Sequence, residues 1–198
     1  MDTIKAIIFD IGGVVVKFHD TGYFSYLSEV SGRSAKAIER MVVPMIPDFE
    51  LGKLKAGQFE RRIAEAIGIG RGEVQWLGFY KKHLEIDVDV TDLIRGLHDS
   101  YITGYITNID AAKYSVFTRM FGKEIFDYGV ASCSIHVRKP DPRIYRYMLK
   151  RMKVSPGEAV FIDDMPKNVR GARRLGINSI LYKNRRQLDI SLSKVLGY

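Results

Sequence analysis

The segment IKAIIFD, residues 4–10, runs an apolar strand pattern directly into a carboxylate. Two later segments repeat the pattern, GYITN at residues 104–108 and AVFIDD at residues 159–164. In open α/β folds, ligands bind at the edge where the carboxyl ends of parallel strands meet. If these three strands lie side by side, three carboxylates and a hydroxyl converge there. The sequence therefore predicts a site built from Asp10, Thr107, Asp163 and Asp164.

Helical and strand patterns alternate from residue 87 onward. The predicted helices are at residues 90–98, 111–120, 142–152 and 166–175, and the predicted strands are at 102–107, 128–132, 159–162 and 179–182. Such βαβ alternation is typical of a parallel sheet with right-handed crossovers. The predicted fold class is therefore α/β, with a Rossmann-like parallel sheet.

The chain between the first strand and about residue 84 has apolar residues at helical spacing instead. Its clearest helix is predicted over residues 58–67 and ends at Gly68. We interpret this block as a small all-helical cap inserted into the core. The predicted division is an α/β core over residues 1–16 and 87–198, with the cap over residues 17–86.

Composition fits one compact unit with a small inserted subdomain, since 46% of the 198 residues are apolar. The longest apolar run, residues 6–9, is far too short to span a bilayer, and the N-terminus shows no charged leader with an apolar signal core. We expect a soluble cytoplasmic protein without a membrane partner. Cys133 is the single cysteine, so no internal disulfide is possible, and we expect it to pack in the structure.

The net charge is +8, from 31 basic and 23 acidic residues. The basic residues are spread along the chain, and no nucleic-acid-binding motif accompanies them, so nucleic acid is not an expected partner. A small phosphorylated molecule would also be attracted by this charge. The sequence makes no prediction of the oligomeric state.

Each polar signal has two interpretations when it is taken alone. Asp10, before the Gly12-Gly13 turn, is either a turn cap or a nucleophile and metal ligand beside a backbone that a substrate can approach. Asp163 and Asp164 either cap the next helix or bind a cation that offsets their repulsion.

Two further signals are open in the same way. Thr107 and Asn108 are either a helix start or ligand contacts. Lys139, in RKPDP at residues 138–142, is either a solvated loop lysine or one positioned by two prolines.

In this order and spacing, the four signals resemble the motifs of the haloacid dehalogenase-like (HAD) hydrolase superfamily. The matching segments are FDIGGV at residues 9–14, ITN at 106–108, RKPD at 138–141, and IDD at 162–164 with Asn168. The helical block is similar to the small cap of that family. The segment FELG at residues 49–52, followed by a helix, is like the caps of its sugar-phosphate phosphatases.

The resemblance implies a Mg²⁺-dependent phosphatase of a small phosphorylated metabolite, such as a sugar phosphate. Asp10 would attack phosphorus and form an aspartyl-phosphate, while Thr107 and the Asn108 backbone hold phosphate oxygens. Lys139 would neutralise the phosphoryl charge and orient Asp10. These roles suit the chemistry, because a dianionic phosphate repels a carboxylate nucleophile until cations mask its charge.

The resemblance also implies a Mg²⁺ site made by Asp10, the Gly12 carbonyl and Asp164, with Asp163 as a ligand or a support. Hard oxygen ligands favour Mg²⁺ over zinc.

One position departs from the family pattern. Its phosphatases usually carry a second aspartate two residues after the nucleophile, which protonates the leaving oxygen and then activates water; this chain has Gly12 there. General acid–base assistance contributes about 10²–10⁴ in rate. His19 is one conceivable substitute.

Two other functions stay open at this point. A haloacid dehalogenase would use Asp10 against carbon without a metal, but such enzymes carry an aromatic residue at the position of Gly12 and lack the acidic pair Asp163-Asp164. A phosphate- or metabolite-binding protein would have lost turnover together with the second aspartate.

Overall fold

The four residues of strand β1, Ala6–Phe9, are all buried because the strand lies in the centre of the sheet with a neighbour on each side. The computed structural model describes residues 3–18, 20–121 and 125–197. Strand β1 pairs in parallel with two strands that are distant in sequence. Both edges of the strand are therefore paired, and the helices that cover the two faces of the sheet explain its unbroken apolar sequence.

The main sheet has five parallel strands in the order β5-β4-β1-β6-β7. After β1, its strands are β4 (Ile102–Thr107), β5 (Tyr128–Ala131), β6 (Ala159–Asp163) and β7 (Asn178–Leu181). Strands β4 and β5 lie on one side of β1, and β6 and β7 lie on the other. The strand order therefore changes direction at β1, and ligands bind at such a topological switch point. The carboxyl ends of β1, β4 and β6 are adjacent at this point.

Helices cover both faces of this sheet. One face packs against α7 (Val88–Leu97), α8 (Ala111–Phe121) and α12 (Arg185–Leu196). The other face packs against α10 (Pro142–Met152) and α11 (Pro166–Arg173). Alternate residues of β1 point to opposite faces, so Ile7 and Phe9 belong to the first cluster, and Ala6 and Ile8 to the second.

The described residues between β1 and α7 form six α-helices and one short 3-10 helix (Val43–Met45). The α-helices are α1 (Asp20–Ser31), α2 (Ala35–Val42), α3 (Ile46–Glu50), α4 (Ala56–Ile67), α5 (Arg71–Val74) and α6 (Trp76–His83). They pack around a hydrophobic cluster of their own, which includes Tyr23, Phe49, Phe59 and Trp76. We call α1–α6 the helical layer. Gly68 ends α4 at a φ of 78°, in the left-handed conformation that glycine favours.

The helices and strands predicted after residue 87 agree with the structure to within about two residues at each end. The α/β class with a parallel sheet is confirmed. The sequence pattern did not predict helix α9 (Ser132–Ile135), helix α12, or an antiparallel ribbon of β2 (Val16–Phe18) and β3 (Leu84–Ile86). Because β2 precedes α1 and β3 follows α6, their pairing brings the two ends of the helical layer together.

We propose from the separate hydrophobic cluster that residues 17–86 form a cap unit. Among the described residues, no helix is long and apolar enough to cross a membrane.

Candidate active site

A buried lysine joins two of the predicted carboxylates. Lys139 Nζ lies 2.7 Å from Asp10 Oδ1 and donates a hydrogen bond of 2.7 Å to Asp163 Oδ2. The lysine side chain is only 1% exposed, although the sequence alone allowed a solvated loop lysine. Asp10 follows β1 and Asp163 ends β6, so the pairing of these two strands fixes the distance between the carboxylates.

Asp163 is fully buried, and both of its oxygens are occupied by protein donors. Its Oδ1 accepts from Met165 N at 2.8 Å and from Asn168 Nδ2 at 3.0 Å, while its Oδ2 accepts from Lys139 and Asn168. This geometry favours Asp163 as a support for Lys139 over a role as a direct metal ligand. Asn168 Oδ1 is buried, has no hydrogen-bond partner in the described part of the chain, and lines the site cavity.

Asp164, Asp163 and Asp10 each place a carboxylate oxygen within 4.8 Å of the other two. The cluster contains three carboxylates and one lysine, so it has an excess of negative charge that a divalent cation would neutralise. The oxygen-only donor set suits Mg²⁺, and Asn168 Oδ1, which has no hydrogen-bond partner among the described residues, is a further acceptor at the cavity wall. The cluster of Asp10, Asp163 and Asp164 therefore fits the ion.

The carboxylates affect one another's protonation. Burial raises the pKa of Asp10 well above its usual value, and the charges of Asp163 and Asp164 add to this rise against the opposing effect of Lys139. Burial likewise raises the pKa of Asp164. Burial alone would lower the pKa of Lys139, but the two carboxylates that it contacts outweigh burial and raise the pKa. Lys139 is therefore a cation in the folded protein.

Asn108 positions Lys139 through its side chain. Lys139 N donates to Asn108 Oδ1 at 2.8 Å, and Asn108 Nδ2 donates to Lys139 O at 3.1 Å. This reciprocal pair joins the end of β4 to the loop before α10. Thr107, the last residue of β4, is buried and lines the same cavity, and its hydroxyl forms no hydrogen bond to another described residue. Thr107 is therefore available to bind an oxyanion.

The two glycines after Asp10 differ in conformation. Gly13 has a φ of 77°, and a Cβ atom there would overlap with the Asp164 carboxylate. Gly12 lies outside the left-handed region, and a Cβ atom there would meet nothing within 4 Å. The left-handed backbone of this turn therefore belongs to Gly13, and space for a side chain exists at Gly12.

Two cavities meet above the cluster. The smaller, about 350 Å³, has polar walls that include Asp10, Thr107, Lys139 and Asp164. The larger, about 810 Å³, lies between the helical layer and the sheet. Its lining is largely apolar and aromatic: Tyr23, Phe24, Val43, Ile46, Phe49, Trp76, Ile109 and Met165.

The helical layer is anchored to the sheet at two places. Trp76 Nε1 donates to Asp110 Oδ2 at 3.2 Å, and the Lys113 ammonium lies 3.9 Å from the centre of the Trp76 ring. At the second place, Ser132 Oγ donates to Glu50 O at 2.7 Å, and His136 Nδ1 donates to Leu51 O at 2.8 Å. These contacts hold α3 and α6 over the carboxyl edge of the sheet.

An ion pair that sequence reasoning missed also lines the smaller cavity. Arg138 Nη2 lies 2.6 Å from Glu50 Oε2, although the two residues are distant in the chain. The signal available in the sequence was the segment FELG at residues 49–52, which identifies the cap but not the arginine.

Three aromatic residues of the helical layer, Tyr23, Phe49 and Trp76, contribute both to its core and to the larger cavity. Cys133 is half-buried against the sheet core, as expected for packing, and burial raises the pKa of its thiol. His19 lies outside the described residues.

Comparison with known proteins identifies the family. A sequence model of the haloacid dehalogenase-like hydrolases matches residues 4–176. The chain belongs to this hydrolase family. Its fold also matches solved members: a HAD-like family hydrolase from Porphyromonas gingivalis gives a TM-score of 0.84 at 24% identity, covering 100% of both chains.

Two curated relatives and a further solved structure are similar to most of the chain. A D-ribitol-5-phosphate phosphatase of Bacteroides thetaiotaomicron is 27% identical and covers 96% of this chain and 99% of its own length. A sesquiterpene phosphatase of Aspergillus oryzae is 30% identical and covers 88% of each chain. A HAD family enzyme of Bacteroides thetaiotaomicron, solved with magnesium and inorganic phosphate, has a TM-score of 0.72 at 20% identity, with 91% of this chain and 94% of that one covered.

Proposed function

We propose that the protein is a Mg²⁺-dependent phosphomonoesterase of a small phosphorylated metabolite. The observation that carries this proposal is the buried Lys139 between Asp10 and Asp163, beside Asp164 and Thr107 in one polar cavity. This arrangement supplies a carboxylate nucleophile, a fixed cation and a hydroxyl donor at one point. The phosphatase names of two relatives and the magnesium–phosphate complex of a third support it.

In the proposed reaction, an Asp10 oxygen attacks phosphorus, and the bond from phosphorus to the leaving oxygen breaks. Lys139 holds the nucleophile and attracts the phosphoryl oxygens, because it is a buried cation whose neighbours fix its position. Thr107 and the Asn108 backbone bind further phosphoryl oxygens. Water then attacks the aspartyl-phosphate and releases inorganic phosphate and the Asp10 carboxylate.

We assign the metal to Asp10, Asp164 and the Gly12 carbonyl, with Asp163 and Asn168 supporting them. A bound Mg²⁺ would neutralise phosphoryl charge and lower the repulsion between substrate and nucleophile. The buried, fully hydrogen-bonded oxygens of Asp163 support this assignment of a secondary role.

The larger cavity would receive the leaving group. Its volume of about 810 Å³ is in the range of small-molecule sites. A sugar or polyol phosphate is the first candidate, as in the phosphatase of Bacteroides thetaiotaomicron. The apolar and aromatic lining favours a second candidate, an alkyl or terpenoid phosphate, and a relative is named for such a substrate.

Two alternatives are less well supported. Dehalogenation needs no metal, and the cluster of three carboxylates is unsuited to a site without a cation. Phosphate binding without turnover would not require a nucleophile held at 2.7 Å from a buried lysine.

Hydrolysis of 4-nitrophenyl phosphate by the purified full-length protein tests the proposal. We expect turnover with Mg²⁺, loss of turnover in excess chelator, and a loss of roughly 10³-fold or more in Asp10→Asn, which keeps the shape but removes the nucleophile. Activity that survives chelation would contradict the metal assignment. An Asp10→Asn variant with more than about a tenth of the wild-type rate would contradict the covalent mechanism.

Substrate class is tested by kcat/KM for ribitol 5-phosphate against n-octyl phosphate. The apolar lining predicts a preference for the octyl ester if the body of the substrate fills the larger cavity. A preference for ribitol 5-phosphate would favour the polyol candidate.

A further inference from the structure

A substrate that occupies both cavities must cross the boundary between them. Its phosphoryl group lies beside Asp10 and Lys139 in the smaller cavity, and its body lies in the larger one. The bond that breaks is therefore located near the residues that line both cavities: Glu50, Asn108, Ile109, Lys113 and Met165. Glu50 is the only carboxyl group of this set.

Glu50 is largely buried, and its hydrogen bonding is incomplete. The side chain is 18% exposed, and the buried Oε2 has no hydrogen-bond partner among the described residues. Arg138 Nη2 approaches Oε2 to 2.6 Å without hydrogen-bond geometry, and the buried Nε of Arg138 also has no partner. The ion pair therefore leaves part of the hydrogen-bonding capacity of both buried groups unused on the wall of the smaller cavity.

We propose that Glu50 is the acid–base residue that replaces the carboxylate absent at Gly12, and that it acts on the leaving oxygen of the substrate. This inference rests on the proposed phosphatase function. The place that a second carboxylate would occupy after Asp10 is empty, because a Cβ atom at Gly12 would meet nothing within 4 Å. Glu50 reaches the same reaction from the helical layer, on the side of the leaving group.

The proton balance is complete with residues of this chain and water. As the bond from phosphorus to the leaving oxygen breaks, the Glu50 carboxyl gives its proton to that oxygen, and the alcohol departs. The resulting Glu50 carboxylate then takes a proton from water while the water oxygen attacks the aspartyl-phosphate. Asp10 is released as a carboxylate, phosphate leaves, and Glu50 is again protonated.

The surroundings of Glu50 favour its protonated form more than water does. Burial raises the pKa of Glu50 and Asp110 adds to the rise, whereas Arg138, Lys113 and Lys139 lower it, with burial the largest effect. Asp10, Asp164, Lys167 and Tyr80 also line the smaller cavity, and Lys36 and Glu39 line the larger one. The metal ligands do not contact Glu50.

The test compares Glu50→Gln with wild type on substrates whose leaving groups differ in their need for a proton. We use 4-nitrophenyl phosphate and whichever of ribitol 5-phosphate and n-octyl phosphate the wild type hydrolyses faster. We compare values of kcat/KM, which report the steps up to release of the leaving group. Hydrolysis of the aspartyl-phosphate, which is the same step for every substrate, does not affect this parameter. We expect a loss of about 10²–10⁴ for the alkyl ester and less than about 10-fold for the aryl ester.

The pH profile supplies a readout that a structural role would not change. In the wild type, kcat/KM for the alkyl ester should fall with rising pH as Glu50 loses its proton, and again at higher pH as Lys139 loses its proton. The first fall should disappear in Glu50→Gln, and the second should remain. Glu65→Gln is the matched control, since Glu65 is an exposed carboxylate on α4 that lines neither cavity. We expect wild-type values for that control.

A rescue variant keeps the test decisive if Glu50→Gln also loosens the helical layer. Gly12→Asp in the Glu50→Gln background restores a carboxylate in the turn after Asp10, in the same cavity, and should recover at least about 10-fold on the alkyl ester. Equal losses on both esters with no rescue would overturn this inference and leave the phosphatase intact. A wild type inactive on every phosphate ester would overturn the proposed function, and this inference with it.

Discussion

Lys139 is the residue on which the candidate site depends most, because it is a buried cation with carboxylates on two sides. Lys139→Ala removes the charge that attracts the phosphoryl group and leaves Asp10 and Asp163 to repel each other. We expect kcat to fall by at least about 10²–10³-fold, with a higher KM, because the lost interaction is strongest in the transition state. Steady-state kinetics on 4-nitrophenyl phosphate measure the changes in kcat and KM.

Lys81→Ala is the control for this prediction, since Lys81 is an exposed lysine of α6. It should keep wild-type kinetics. A kinetically silent Lys139→Ala would show that the loop before α10 has no part in the reaction.

The two neighbouring glycines give a matched pair of stability predictions. Gly13→Ala forces a side chain into a φ of 77° and into the Asp164 carboxylate, whereas Gly12→Ala meets neither obstacle. We expect Gly13→Ala to lower the free energy of unfolding by about 1–2 kcal/mol or more, and Gly12→Ala to change it by less than about 1 kcal/mol. Chemical denaturation of both variants tests the difference, and equal losses would contradict the turn geometry.

At the residue scale, sequence predicts the members of the site better than their partners. Asp10, Thr107, Asp163 and Asp164 each follow or end a recognisable strand, so parallel pairing brings them together. The ion pair of Glu50 with Arg138 could not be predicted in this way. It depends on how α3 packs against α9 and the loop before α10, and no local pattern encodes that contact.

The contact between α3 and α9 is the element-scale feature that holds the helical layer over the site. Ser132 Oγ donates to Glu50 O and accepts from Ile109 N at 2.9 Å, so one buried hydroxyl joins three segments. Ser132→Ala leaves these backbone groups unpaired. We expect a loss of about 1–3 kcal/mol in the free energy of unfolding, with a higher KM, because α3 carries Glu50.

Ser134→Ala is the matched control on the same short helix, since Ser134 is exposed. Thermal unfolding and steady-state kinetics of both variants give the measurement. If Ser132→Ala left Tm and KM unchanged, the anchoring role of this contact would be wrong.

Elements with a long, periodic pattern were predictable, and short ones were not. Helix α10 begins at Pro142 and ends at Met152 as predicted, because proline, apolar spacing and length all agree. Strands β2 and β3 have three residues each, too few to show an alternating pattern. Helix α12 buries only Leu188 and Leu192 within a polar sequence, so its apolar stripe is narrow.

At the scale of the whole molecule, charge is the property that affects every encounter with a substrate. The chain carries +8, from 31 basic and 23 acidic residues. Lys113, Arg138 and Lys167 line the smaller cavity in addition to Lys139. Because a phosphate monoester is a dianion near neutral pH, the field of the protein raises its local concentration at the site.

Salt should therefore weaken substrate capture without slowing the chemistry. The Debye length falls from about 30 Å at 0.01 M ionic strength to about 8 Å at 0.15 M, so distant basic residues are screened while Lys139, in direct contact with Asp10, is not. We expect KM for a dianionic ester to rise severalfold over this range at nearly constant kcat. Titration with sodium chloride, with an uncharged solute of matched viscosity as the control, measures both parameters. A constant KM would show that the basic residues outside the smaller cavity contribute nothing to capture, and a falling kcat would show that salt reaches the buried pair of Lys139 with Asp10.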